Sequence, residues 1–146
     1  VKWDEFRTRY LEELRANEEA WRPLAAAARR RLASTNAIVV AGDATAMPFP
    51  DASFSAVLCF TMLHHVPSPA LQDRLLAEAH RVLEPGGWFA GSDSLPTPVW
   101  NLMHLLDART PVDPATFGHR LMAAGFGEVR VWKAGNRLFF RARRPR

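Results

Sequence analysis

His64 and His65 stand side by side after the apolar run Ala56-Val57-Leu58-Cys59-Phe60. An imidazole takes and gives protons near neutral pH, so the pair suits a general base or a group that orients a substrate. Adjacent histidines do not share one helical face, which disfavours a two-ligand metal site. The plainer role is structural, at a strand end. Asp93 follows a second apolar run, Trp88-Phe89-Ala90-Gly91, where it faces a substrate cleft or caps a loop. Trp88 and Trp100 line or cover an apolar pocket, or simply pack. Asp43 lies in a loop, where aspartate commonly caps its own backbone. Cys59, inside an apolar run, is expected to be an inert buried thiol. His80, His104 and His119 are scattered and take no role.

The elements that hold these residues are legible from periodicity. Trp3, Phe6, Tyr10 and Leu14 fall at helical spacing, with charged residues between them. Asn17 is a cap for a following segment, and Pro23 starts or kinks a helix that runs to about Leu32. Ala37-Ile38-Val39-Val40-Ala41 is continuously apolar, as in a buried parallel strand. Residues 42–53 are loop, and Phe54 to Phe60 is a second buried strand. Ser68 and Pro69 start a helix whose inner face is Leu71, Leu75, Ala79, Val82 and Leu83. Glu84-Pro85-Gly86-Gly87 stops it, and Trp88 begins a third strand. Residues 92–112 are irregular, with a short helix over Trp100 to Leu106. Asp113-Pro114 caps another helix, with Phe117, Leu121 and Ala124 inward and Gly125 as the stop. Glu128 to Lys133 and Arg137 to Ala142 are strands of a hairpin joined at Ala134-Gly135-Asn136. Arg143 to Arg146 is expected to fray. The alternation gives an α/β fold with right-handed crossovers.

A chain of 146 residues is one domain's worth. With 48% hydrophobic and 23% charged residues it does not read as collagen-like, disordered or coiled-coil. No apolar run reaches the roughly 18–20 residues that span a bilayer, and the mixed charges of the first residues do not form a signal peptide. One cysteine makes neither an intrachain disulfide nor a zinc cage, which fits a reducing, cytoplasmic setting. The net charge is +4, yet five arginines lie between Arg137 and Arg146, so the remainder stands at −1. A basic tail without a recognition motif reads as a solvated end and argues against nucleic-acid binding.

Three segments carry a family resemblance. Gly42-Asp43-Ala44 with Met47-Pro48-Phe49-Pro50-Asp51 and Ser53-Phe54 resembles the middle motif of class I S-adenosylmethionine-dependent methyltransferases. Thr61-Met62-Leu63-His64-His65-Val66 is similar to the segment after their fourth strand. Arg81-Val82-Leu83-Glu84-Pro85-Gly86-Gly87 resembles their turn before the fifth. The order and gaps match the small-molecule branch that includes quinone-biosynthesis enzymes, over residues 36–144. The resemblance implies S-adenosylmethionine as donor and a small molecule as acceptor. It implies that Asp43 accepts from the adenine amino group, that the Ala44 backbone N–H meets the ring, and that Phe60 and Thr61 lie beneath the methyl donor. His64 and His65 become the catalytic candidates, and Asp93 and Trp100 the substrate-side ones.

The family's glycine-rich cofactor loop and ribose-binding acid belong before Ile38, where this sequence has no Gly-x-Gly. Residues 1–32 instead weakly resemble a helical fragment of a small bacterial family of unknown function. The expected architecture is therefore a truncated Rossmann-like methyltransferase sheet, residues 36–146, with a C-terminal antiparallel hairpin and an added N-terminal helical segment, residues 1–35. Ligands of such sheets lie over strand carboxyl ends at a topological switch point, so loss of the first two strands is expected to impair methyl transfer. It also exposes a sheet edge to a second copy or a partner chain. In the alternative reading, the chain is a non-catalytic remnant serving as an interaction or dimerisation module.

Overall fold

The computed structural model describes residues 18–40, 42–97 and 110–146. The chain divides into two compact units, residues 1–41 and residues 42–146. In the first, helix α1 spans Glu18–Leu32, with Pro23 inside it rather than at its start. Arg29, Arg30 and Arg31 fill its last turn, where cations favour the negative end of the helix dipole. Thr35 closes the helix through its N–H and hydroxyl, which donate to Leu32 O at 2.9 and 2.7 Å. Residues 37–40, expected as a buried strand, form none: Ile38 is 87% exposed. A short apolar run has strand-like composition, but only a paired neighbour makes it a strand. The Trp3–Leu14 stripe, the Asn17 cap and the Trp100–Leu106 helix lie outside the described residues.

The second unit is built on one four-stranded sheet. Strand β1 spans Phe54–Phe60, helix α2 Pro69–Val82 and strand β2 Leu83–Ser94. Helix α3 spans Pro114–Ala123, and strands β3 (Gly127–Ala134) and β4 (Arg137–Arg143) form the hairpin. The spatial order is β1-β2-β4-β3, with β1 parallel to β2 and the remaining pairs antiparallel. No strand pairs with the outer edge of β1 among the described residues.

Helix α2 starts as its sequence dictates. Pro69 takes the first position, and the Ser68 side chain accepts from Leu71 N at 3.2 Å. Its buried face is Leu71, Leu75, Leu76, Ala79 and Val82. Leu83 already belongs to β2, and the register runs from Phe54 opposite Leu83 to Ala56 opposite Trp88. The Glu84–Gly87 stretch is thus a bulge inside a strand, not a turn before one. Gly86 makes it with φ +83°, a region that side chains disfavour.

Alternation along the strands puts Phe89, Leu138, Phe140 and Ala142 on the face that α2 and α3 cover. Phe140 is the hub: Phe89 and Phe117 pack on it at 5.0 and 5.2 Å between ring centroids. The other face keeps Leu58, Phe60 and Trp132 exposed. No helix of the described residues is long and apolar enough to cross a membrane.

The C-terminal end is pinned rather than frayed. Arg144 N donates to Gly87 O, and its Nη1 donates to the carbonyls of His80, Arg81 and Leu83, capping α2. Burial first, and then the Arg144 guanidinium, hold His80 below the ordinary histidine pKa, against a smaller opposing contact with the Gly125 backbone. The unfolded chain therefore protonates His80 more readily than the folded one. The resulting stability is present above about pH 6.5 and is lost as pH falls through the lower folded value. Thermal melts should show Tm falling between about pH 7.5 and 5.5, and a His80→Gln variant should flatten that fall. An equally steep fall in the variant would assign it to other groups. Glu78, lowered mainly by its hydrogen bond to Arg81, contributes the same sign of effect in a lower window, below its ordinary 4.5.

Candidate functional site

The parallel strands β1 and β2 end together, Phe60 opposite Ser92. Thr61 follows with φ +53°, a strained conformation for a β-branched residue. Two contacts hold it there. Its N–H donates to Ser92 O at 2.8 Å, and Arg137 Nη2 donates to Thr61 Oγ1 at 2.8 Å and to Ser92 Oγ at 3.0 Å.

The chain then makes one 3₁₀ turn, Leu63–His65. Gln72 Nε2 ties it to α2, donating to Leu63 O at 2.9 Å and to Thr110 O at 2.7 Å. Thr110 N donates to His64 O at 3.1 Å. Arg120 supports Gln72 from α3, its Nη1 donating to Gln72 Oε1 at 2.9 Å, while its Nε pairs with Asp73 at 2.7 Å.

Within this frame His64 and Asp93 form a buried pair, 2% and 1% exposed. His64 N donates to Asp93 Oδ2 at 2.9 Å, and His64 Nδ1–H donates to Asp93 Oδ1, which also accepts from Ser94 N at 2.7 Å. Asp93 lies inside β2 rather than in the loop after it, and its carboxylate turns to His64 rather than to a cleft. The carboxylate fixes both the backbone and the ring of His64. His65 is exposed, its ring 4.0 Å from that of His64. Cys59 sits on the same buried face, its thiol pushed up to about 12 by burial and by the Asp93 charge. It is a protonated, unreactive thiol.

Asp43 and Ala44 lie in the loop that leads into β1. Asp43 Oδ1 accepts from Thr45 N at 2.8 Å, an Asx turn, and Oδ2 makes no hydrogen bond among the described residues. The loop is clamped from α2. Glu78 Oε2 accepts from Met47 N at 2.7 Å, and Arg81 donates to Met47 O, to Phe49 O and to Asp51. The structure thus brings Thr61, His64, His65 and Asp93 together at the strand ends, with Phe60 60% exposed beside them. No hydrogen bond joins Asp43 to that group, and Trp100 lies outside the described residues. Arg137, Gln72 and Arg120 escape sequence reasoning. Gln72 alone carries a signal, a polar residue beside the apolar inner positions of α2.

A family model described as a methyltransferase domain matches residues 11–91, more than half of the chain and starting ahead of residue 36, where the sequence resemblance begins. The chain is similar to the ubiquinone/menaquinone biosynthesis C-methyltransferase UbiE of Methylobacterium nodulans, 50% identical over 50 residues, which are 34% of this chain and 19% of that protein. It is similar to a fatty-acid O-methyltransferase of Mycolicibacterium smegmatis, 43% identical over 68 residues, 47% of this chain and 24% of that protein. The aligned stretches are thus under a quarter of either relative's length. Among solved structures, the S-adenosylmethionine-dependent methyltransferase SibL superposes with a TM-score of 0.67 at 22% identity, covering 82% of this chain and 40% of that one. That likeness shows the Rossmann-like α/β fold. Because that family model matches more than half of the chain, the chain belongs to the methyltransferase domain family.

Proposed function

We propose that this chain takes part in methyl transfer from S-adenosylmethionine to a small-molecule acceptor. The observation that carries the reading is the buried Asp93–His64 pair at the carboxyl ends of the parallel strands, where ligands of open α/β sheets lie. The residues present suit the adenosine half of the cofactor. With Oδ1 taken by Thr45 N, Asp43 offers Oδ2 as the acceptor for an exocyclic amine, Ala44 offers its backbone N–H, and exposed Phe60 with Thr61 offers an apolar wall. When bound, S-adenosylmethionine supplies an electrophilic methyl group on a sulfonium.

The chain's own residues then do three things. Thr61, held by Arg137 and Ser92, sets the path of the backbone at the strand end. Asp93 positions His64, which is too buried to meet an acceptor, and His64 in turn packs against His65. Exposed His65 takes the proton from an acceptor whose nucleophile carries one; otherwise alignment alone suffices. The expected setting is the reducing cytoplasm, where Cys59 stays a thiol.

A second reading rests on the outer edge of β1, with which no strand pairs among the described residues, and on Leu58, 63% exposed. There the chain is a non-catalytic module that pairs with a second copy or a partner strand. Calorimetric titration with S-adenosylhomocysteine separates the two. Saturable one-to-one binding, weakened about tenfold or more by Asp43→Ala, supports the methyltransferase reading. No heat at millimolar ligand removes it and leaves the module.

A further inference from the structure

The strand register assembles something the linear sequence hides. Arg137, Phe139, Arg141 and Arg143 alternate along β4 with the buried Leu138, Phe140 and Ala142, so they share the sheet face that α2 and α3 leave uncovered. Across the pairings, Arg143 stands opposite Trp88, Arg141 opposite Arg130, and Phe139 opposite Trp132. The basic tail of the sequence is thus a basic face interleaved with aromatic rings.

The guanidinium groups lie over the rings. Those of Arg141 and Arg143 are 5.7 and 5.2 Å from the Trp88 centroid, and that of Arg130 is 5.7 Å from the Trp132 centroid. Trp132 and Phe139 stack at 5.7 Å and 16°. Glu128 pairs with Arg143 at 3.2 Å, while Arg130, Arg137 and Arg141 are exposed and make no ion pair among the described residues. A second copy of so cationic a face would be repelled by it. Charge complementarity calls for an anion, and flat rings between flat cations call for one that carries planar groups.

We propose that this sheet face, opposite the one that α2 and α3 cover, binds single-stranded nucleic acid, with bases stacking on Trp132 and Phe139 and phosphates pairing with Arg130, Arg137 and Arg141. A sheet with aromatic rings and arginines offers a stacking platform that needs no groove and no particular sequence. A membrane would satisfy the charge, but it rewards apolar side chains that insert, whereas these rings lie against each other and against the guanidiniums. The proposal does not require bound cofactor, and Arg137 is the residue it shares with the strand-end site.

The test is fluorescence anisotropy of the full chain with a labelled oligouridylate of about twenty nucleotides, long enough for a single-strand site. Binding should weaken about twentyfold between about 50 and 200 mM salt, as expected for three neutralised phosphates on a single strand. Arg130→Gln with Arg141→Gln should cut the salt slope by about two thirds. Trp132→Ala should weaken binding about tenfold and leave the slope alone. Arg146→Gln should change nothing. All these positions are exposed or partly so, and matching thermal melts confirm that the variants fold. The proposal is overturned by no binding at low salt and about 100 μM chain, by binding that survives the double substitution, or by an equal loss in Arg146→Gln. It is also overturned if phosphatidylserine-containing phosphatidylcholine vesicles bind with the same arginine dependence while the oligouridylate does not.

Discussion

Replacing Asp93 by alanine is expected to lower the unfolding free energy by about 3–5 kcal/mol, the range seen when one partner of a buried polar pair is removed. Asp93 accepts from His64 N, His64 Nδ1 and Ser94 N, and both it and His64 are shut off from water. Hydrogen bonds to a charged acceptor are worth about 1.5–3 kcal/mol each, and the donors left behind add a desolvation cost. The terms do not sum, because the three donors share one carboxylate. The loss is a large fraction of the roughly 5–15 kcal/mol that holds a typical domain folded. Asp93→Asn keeps the size and one carbonyl acceptor, and should cost less. Urea denaturation with an unchanged m-value reads the effect. A double-mutant cycle with His64→Ala should return a coupling of at least about 1 kcal/mol. An Asp93→Ala variant within about 1 kcal/mol of the parent would mean that the pair does not form in solution.

The parts legible in the sequence are those that local chemistry fixes. Ser68-Pro69 and Asp113-Pro114 start α2 and α3 because a side-chain acceptor and a preset φ act within one turn. Strands β1 and β2 follow from their apolar runs, although β1, expected to be buried, leaves Leu58 and Phe60 exposed, and the hairpin of β3 and β4 follows from its glycine-containing link. The parts that were not legible depend on partners distant in the chain. Residues 37–40 have a strand's composition and lack a partner. The Glu84–Gly87 turn became a bulge because Leu83 pairs with Phe54 across the sheet.

The site divides the same way. Thr61, His64 and His65 are legible because they follow a recognisable strand. Arg137 reaches Thr61 from 76 residues away, and nothing local marks it. Asp93 is legible as a candidate, but its direction is not. A carboxylate after an apolar run looks the same whether it faces a cleft or a buried histidine.

Gly91→Ala is expected to prevent the second unit from folding stably, a loss of about 4 kcal/mol or more, beyond what ordinary core overpacking costs. Gly91 is buried in the middle of β2, opposite Cys59 of β1 and Phe140 of β4. A Cβ there would drive into the Cys59 carbonyl and come within 2.8 Å of the Phe140 ring. The first obstacle is backbone, which cannot move aside without parting β1 from β2. The second is the hub of the aromatic core, packed by Phe89 and Phe117. The parallel pair positions Thr61, His64 and Asp93, so the same methyl group that parts the strands takes the site apart. The contrast is Gly135→Ala in the hairpin turn, where a Cβ meets nothing within 4 Å and only the φ of +55° opposes it. That substitution should cost about 1–2 kcal/mol, the penalty of a left-handed non-glycine residue. Circular dichroism melts of the two variants side by side check the difference. A Gly91→Ala variant that melts within a few degrees of the parent would show that β1 and β2 tolerate a wider spacing, and that the strand ends are not held rigidly by their pairing.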